Sequence, residues 1–131
     1  EDYLLALDWA REIGGLPALI AQCDANADVI AQFCAANDWI ANLAEDPDTA
    51  STTSVCLKFT DASIPDGAAF AKAVAKRLEK EGVALDIGAY RDAPAGLRIW
   101  CGATVQTSDI EALMPWLDWA YHTERAALAA G

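Results

Sequence analysis

Positive charge is scarce in this sequence. Nine Lys and Arg stand against twenty Asp and Glu, a formal net charge of −11, and the pI is near 4.2. Phosphate-backbone binding needs Lys/Arg-rich surfaces, so this balance argues against nucleic acid as a partner. It equally disfavours anionic membrane surfaces. Long apolar runs are also missing: the longest stretch without a charge is Ile13–Cys23, eleven residues broken by Gly14, Gly15 and Pro17. A membrane-spanning helix needs about 20 apolar residues. No basic-then-apolar signal peptide opens the chain. Histidine occurs once, and the four cysteines (Cys23, Cys34, Cys56, Cys101) form no CxxC pair, so a Cys/His zinc site has almost no ligands and no metal is expected. The cysteines read as buried reduced thiols, which fits a cytoplasmic location. GxSxG, HExxH, GxxxxGK[ST] and GxGxxG are all absent.

What remains is ordinary globular composition, 54% hydrophobic and 22% charged over 131 residues. A chain of this length buries roughly 65–70% of its unfolded surface, enough for a core without staples. It opens at Glu1, without a methionine, directly on helical sequence. The expectation is a piece of something longer.

Periodicity supplies the elements. Asp2–Ile13 reads as a helix stopped by Gly14-Gly15, with Leu4, Leu7 and Ala10/Arg11 on one face. About Leu16–Ala36 is a second, with Pro17 in its first turn and a stripe of Leu16, Leu19, Ile20, Cys23, Ala27, Ile30, Phe33 and Cys34. Residues 1–44 form a helical amino-terminal portion. Thr53–Thr60 alternates as a strand, with Val55, Leu57 and Phe59 on one face and Ser54, Cys56 and Lys58 on a wet or functional one. Ala68–Glu81 is a helix burying Phe70, Val74 and Leu78, ended by Gly82. A second strand alternates Val83, Leu85, Ile87 and Ala89 against Ala84, Asp86, Gly88 and Tyr90, and a third is Leu97–Cys101. Ser108-Asp109-Ile110-Glu111 is a capping box for the last helix, with a kink or restart expected at Pro115. The order is α-α-β-α-β-β-α. The fold class is α/β (α+β), a two-layer sandwich with a small, mainly antiparallel sheet of about three strands packed by helices.

Two arginines draw attention. Arg98 sits inside the apolar strand Leu97-Arg98-Ile99-Trp100-Cys101 and shares a face with Trp100. A guanidinium is costly to desolvate without an anionic partner. An internal salt bridge, an exposed edge position and an anion-binding role all answer to that pattern. Arg91 closes the preceding strand in a Gly/Pro loop; on residues alone, a pair with Asp92 or plain exposure is the simpler reading. If the two strands form a hairpin, both forks converge into a dianion site. His122 reads as a surface histidine favoured by the end of its helix. The five tryptophans read mostly as core or interface anchors, with Trp116 and Trp119 facing another domain.

The run from Gly82 through Tyr90-Arg91-Asp92-Ala93-Pro94 and Gly96-Leu97-Arg98-Ile99-Trp100 to Val105 closely resembles the carboxy-terminal domain of phosphoserine aminotransferases. Trp9–Leu16, Ser51–Lys58 and Ala112–Ala120 support the resemblance, which covers essentially the whole chain. It implies a fold-type I, pyridoxal 5′-phosphate-dependent enzyme. That enzyme moves an amino group between glutamate and 3-phosphohydroxypyruvate, yielding O-phosphoserine for serine synthesis, and works as a cytoplasmic homodimer. It further implies that Arg98 matches the clamp on the substrate α-carboxylate, and Arg91 the arginine for the phosphate or side-chain carboxylate. Tyr90 replaces the family's histidine beside Arg91, and the loop is one residue longer. The Schiff-base lysine and the cofactor ligands belong to a large domain outside this chain; none of Lys58, Lys72, Lys76 or Lys80 sits in a matching motif, so no catalytic residue is assigned here. The isolated chain is expected to be inactive. The alternative is a freestanding module that binds a small anion or a protein without catalysis.

Overall fold

Pleated alternation in one short strand and 3.6-residue stripes in three helices organise this computed structural model, which describes residues 2–89 and 93–130. The elements are α1 (Asp2–Glu12), α2 (Leu16–Ala36), β1 (Ile40–Asn42), a 3₁₀ turn (Pro47–Thr49), β2 (Ser54–Phe59), α3 (Gly67–Lys80), β3 (Leu97–Trp100) and α4 (Thr107–Ala130). The sheet is antiparallel throughout, in the order β1-β2-β3. Helices packed on a small antiparallel sheet give the expected two-layer sandwich.

One strand differs from expectation. Ile40–Asn42 pairs with the end of β2, while the segment 83–89 contributes a single antiparallel bridge, Gly88 to Leu97. Asp86, at φ 56°, interrupts the extended run that the alternation implied. With the bridge counted, the expected order stands with one short strand added. α4 runs through Pro115 without a restart, because the buried stripe on either side holds it. It also starts at Thr107, so Ser108 lies inside the first turn and does not cap it.

The helix ends follow local chemistry. The Asp66 side chain accepts from the Ala69 amide at 3.1 Å and caps α3. At the other end Gly82 takes φ 71°, a conformation open to glycine, and the Val83 amide returns to the Leu78 carbonyl. Val55 and Leu57 of β2 and Leu97 and Ile99 of β3 meet Phe70, Val74 and Leu78 of α3 and Leu113, Leu117 and Tyr121 of α4 in the core. Trp39 stacks on Tyr121 with ring centroids 3.8 Å apart, closed by Phe33, Phe59 and Phe70. Trp39 is therefore the core tryptophan; Trp9, Trp100, Trp116 and Trp119 are exposed.

Buried side-chain polarity is concentrated at Asn26 of α2, which is fully buried. Its Nδ2 donates to the carbonyls of Cys101, Gly102 and Val105, and its Oδ1 accepts from the Thr107 hydroxyl at 2.6 Å. The loop from β3 to α4 is thus tied to α2. On the opposite side Asp61 accepts from Tyr121, Arg125 and Ser63.

Candidate functional site

The alternation in β2 and β3 sorts their side chains onto two faces. Val55, Leu57, Leu97 and Ile99 go to the core; Ser54, Cys56, Lys58, Arg98 and Trp100 go to the other face. The ladder sets Arg98 opposite Cys56 and Trp100 opposite Ser54. The second, less buried face expected of β2 and the shared face of Arg98 and Trp100 are both present.

Arg98 is held firmly. Its amide donates to the Ile87 carbonyl at 2.8 Å, beside the Gly88–Leu97 bridge. Its side chain is 13% exposed, and its Nη2 lies 3.4 Å from Oδ2 of Asp86, whose own side chain is 90% exposed. An enclosed guanidinium thus meets a carboxylate from the solvent side. Two glycines flank the strand that carries it. A Cβ at Gly96 would lie 1.9 Å from the Leu57 carbonyl oxygen, so only glycine lets the chain enter β3 this close to β2. A Cβ at Gly102 would lie 2.5 Å from the Trp100 ring, so that glycine sets where the exposed indole rests.

Tyr90 and Arg91 lie outside the described residues, and with them the expected convergence of two arginine forks. His122 is exposed, 3.3 Å from Asp118, and the helix continues eight residues beyond it to Ala130. The helix-end argument for His122 therefore does not apply, since that field is confined to the last turn. Cys101 is buried and its thiol is pushed up to about 11, chiefly by desolvation and then by nearby Cys23. It is no nucleophile near neutral pH. The other three cysteines are half-buried and all four are free thiols. Among the described residues no cluster of metal ligands occurs, and no helix is long and apolar enough to cross a membrane.

Sequence reasoning missed Asp86 as the partner of Arg98, and it missed Asn26. The signal for Asn26 was present: it falls three residues after Cys23 and four before Ile30, a polar residue on an apolar stripe.

Two curated relatives, the phosphoserine aminotransferases of Methanosarcina barkeri (strain Fusaro / DSM 804) and Methanosarcina mazei (strain ATCC BAA-159 / DSM 3647 / Goe1 / Go1 / JCM 11833 / OCM 88), are 48% identical over 124 residues and 50% identical over 121. The chain resembles one domain of a phosphoserine aminotransferase. The matches take in 93% and 92% of this chain but 32% and 31% of the relatives, so it spans about a third of their length. A solved phosphoserine aminotransferase from Bacillus circulans subsp. alkalophilus matches 88% of this chain and 30% of its own, at 20% identity and a TM-score of 0.75. At that identity the likeness concerns the fold. No family model matches the chain.

The cavity beside Arg98 is too small to hold the cofactor of that resemblance, pyridoxal 5′-phosphate. The cavity that touches Arg98 measures about 20 Å³ and is lined by Cys56, Leu57, Ala89, Pro94 and Leu97. A cofactor-sized pocket is about 300–1,000 Å³.

Proposed function

We propose that this chain is the carboxy-terminal, substrate-orienting domain of a pyridoxal phosphate-dependent phosphoserine transaminase. In this reading the whole protein exchanges an amino group between glutamate and 3-phosphohydroxypyruvate, giving O-phosphoserine. It acts as a cytoplasmic homodimer. The cofactor, its Schiff-base lysine and the chemistry they supply reside in a large domain outside residues 1–131.

The observation that carries the reading is Arg98. It is the enclosed guanidinium of the sheet's open face, in a chain about half identical to transaminases of that name. Its task is to take the substrate α-carboxylate and fix the α-carbon for reaction; orientation of this kind lowers the barrier without any bond-making by the arginine. Arg91 takes the group that differs between substrates, the phosphate or the side-chain carboxylate, with Tyr90 beside it.

The test separates the two arginines in the full-length protein. Arg98→Ala is expected to lower kcat/KM for every amino-group donor and acceptor together. Arg91→Ala is expected to penalise the phosphorylated substrate most. Losing one partner of a desolvated charge pair costs about 2–5 kcal/mol, and each ~1.4 kcal/mol is tenfold in kcat/KM. Lysine is expected to rescue little where the fork binds in two bonds. Equal loss of phosphoserine and an unphosphorylated amino acid in Arg91→Ala, or no loss in Arg98→Ala, refutes these roles. A full-length protein without transaminase activity refutes the function itself.

A further inference from the structure

Among the described non-glycine residues, Asp86 alone has a positive φ, at 56°. Asp and Asn tolerate that left-handed region better than other side chains, because a short polar group can bond locally. Here the turn aims the Asp86 carboxylate at Arg98 across the edge of the sheet. The flanking backbone is stapled to β3, through the Ile87 carbonyl and the Gly88–Leu97 bridge. The backbone therefore holds the base of the Asp86 side chain beside Arg98.

The contact itself is weak. It runs through one nitrogen at 3.4 Å, whereas a good charge-assisted bond is about 2.7–2.9 Å and an arginine–carboxylate pair is often a two-bond fork. Arg98 has contacts besides this one. Asp86 is the partner that can leave: its side chain is 90% exposed, so water takes over its hydrogen bonds when it turns away. Arg98, at 13% exposure, is less open to water and keeps its other contacts.

We propose that Asp86 is a resident counter-ion, displaced from Arg98 by an incoming carboxylate, and that it thereby sets the affinity of this site for carboxylate ligands. The inference rests on the reading of Arg98 as a carboxylate clamp. Asp86 contributes one counter-charge to Arg98, beside the other contacts that Arg98 makes. It discriminates against ligands that offer a single weak contact, since those gain nothing over the carboxylate already there. A 2-amino or 2-oxo acid, with a fork-forming carboxylate, does gain. Asp86 is a positioning residue that acts through Arg98.

The experiment is an NMR titration of the 131-residue chain with glutarate, a dicarboxylate that cannot be transaminated, following the Arg98 Nε–H resonance. Asp86→Asn keeps the backbone preference and removes the charge. It is expected to tighten the glutarate Kd about two- to fivefold at low salt, the range for an exposed ion pair. Salt near physiological strength and above is expected to erase most of the gain. Asp86→Gly, which also accepts φ 56°, is expected to do the same and guards against a local effect of asparagine. A Kd that is unchanged or weaker in both variants overturns the proposal, as does an Arg98 resonance that glutarate leaves unmoved in every variant. The full-length protein separates this from the functional reading. An active enzyme whose KM for amino acids is unaltered by Asp86→Asn overturns the counter-ion alone. An inactive wild-type enzyme overturns the transaminase, and the titration still decides on Asp86.

Discussion

Replacing Asn26 by leucine keeps the volume of a buried side chain and deletes its four polar contacts. What each partner loses decides the cost. The Val105 carbonyl keeps the Gln22 Nε2, at 2.9 Å, and the Gly102 carbonyl keeps the Val105 amide, also at 2.9 Å. The Thr107 hydroxyl keeps Gln22 at 3.3 Å. The Cys101 carbonyl, beside a fully buried side chain, loses its amide donor. One orphaned buried group costs about 1–3 kcal/mol and one lost bond about 0.5–1.5, for a total of about 2–4 kcal/mol. At this chain length that is a fall in Tm of about 10 °C. Urea denaturation followed by tryptophan fluorescence and far-UV circular dichroism reads it directly, with the m-value expected to be unchanged. Asn26→Asp is the sharper comparison. It retains an acceptor for Thr107 but turns a carboxylate onto three carbonyl oxygens, so it is expected to destabilise more than leucine. A loss below about 1 kcal/mol for Asn26→Leu, or aspartate milder than leucine, refutes the view that the amide ties α2 to the β3–α4 loop.

Gly96→Ala places a methyl 1.9 Å from the Leu57 carbonyl oxygen and is expected to cost more than about 3 kcal/mol, while Gly82→Ala, at φ 71° with open space around it, costs about 1; equal values in denaturant refute the close-approach argument. Asp61 is held well below the usual carboxylate range, first by the Ser63 hydroxyl and then by Tyr121, with the Arg125 guanidinium contributing least. Its stabilisation is present above the unfolded carboxylate pKa and is lost as pH falls toward the folded value, so Asp61→Asn is expected to flatten the acid limb of stability against pH. Tyr121 moves the other way, pushed from 10.0 up to about 12, first by desolvation and then by Asp61. Its contribution is complete below the unfolded value and is lost as pH rises through that window, and Tyr121→Phe is expected to remove the alkaline slope. Leu4, Leu5, Leu7, Trp9, Leu16 and Ile20 leave an apolar surface on α1 and the start of α2. The isolated chain is expected to self-associate there, Leu5→Lys to reduce it, and sedimentation of a clean monomer up to millimolar concentration would count against that surface.

Helices were the legible part of the sequence, because a 3.6-residue stripe over ten or more positions admits few other readings. The stripes of α3 and α4 are buried as written. In α2 the stripe is right in period, yet Leu16 is 67% and Ile20 52% exposed. Periodicity states that a face is apolar, and only tertiary structure states what covers it. Ile40–Asn42 was not legible. Three residues between turn signals carry no alternation, and the strand exists because β2 offers partners at Phe59, Lys58 and Leu57. The segment 83–89 errs in the opposite sense: its alternation is genuine, but one residue at positive φ leaves only Gly88 in register.

Arg98 shows where such reasoning stops and geometry takes over. Alternation placed it on the face of Trp100, and the cost of desolvation demanded an anion. Twenty acidic residues left that anion unnamed. Asp86 precedes Arg98 by twelve residues, and only the turn at φ 56° brings the pair to 3.4 Å. Its presence does not by itself decide between a salt bridge and a ligand clamp. A structural salt bridge is expected to enclose both partners or to bond them in a fork. This one encloses the arginine and leaves the carboxylate in water, an asymmetry that serves exchange better than stability. Stability therefore distinguishes the cases without any ligand. If the pair is structural, Asp86→Asn unfolds the chain as readily as the loss of a core hydrogen bond. If Asp86 holds the place of a ligand, its removal costs less than about 1 kcal/mol, while Arg98→Ala opens a gap beside Leu57 and Pro94 and costs more.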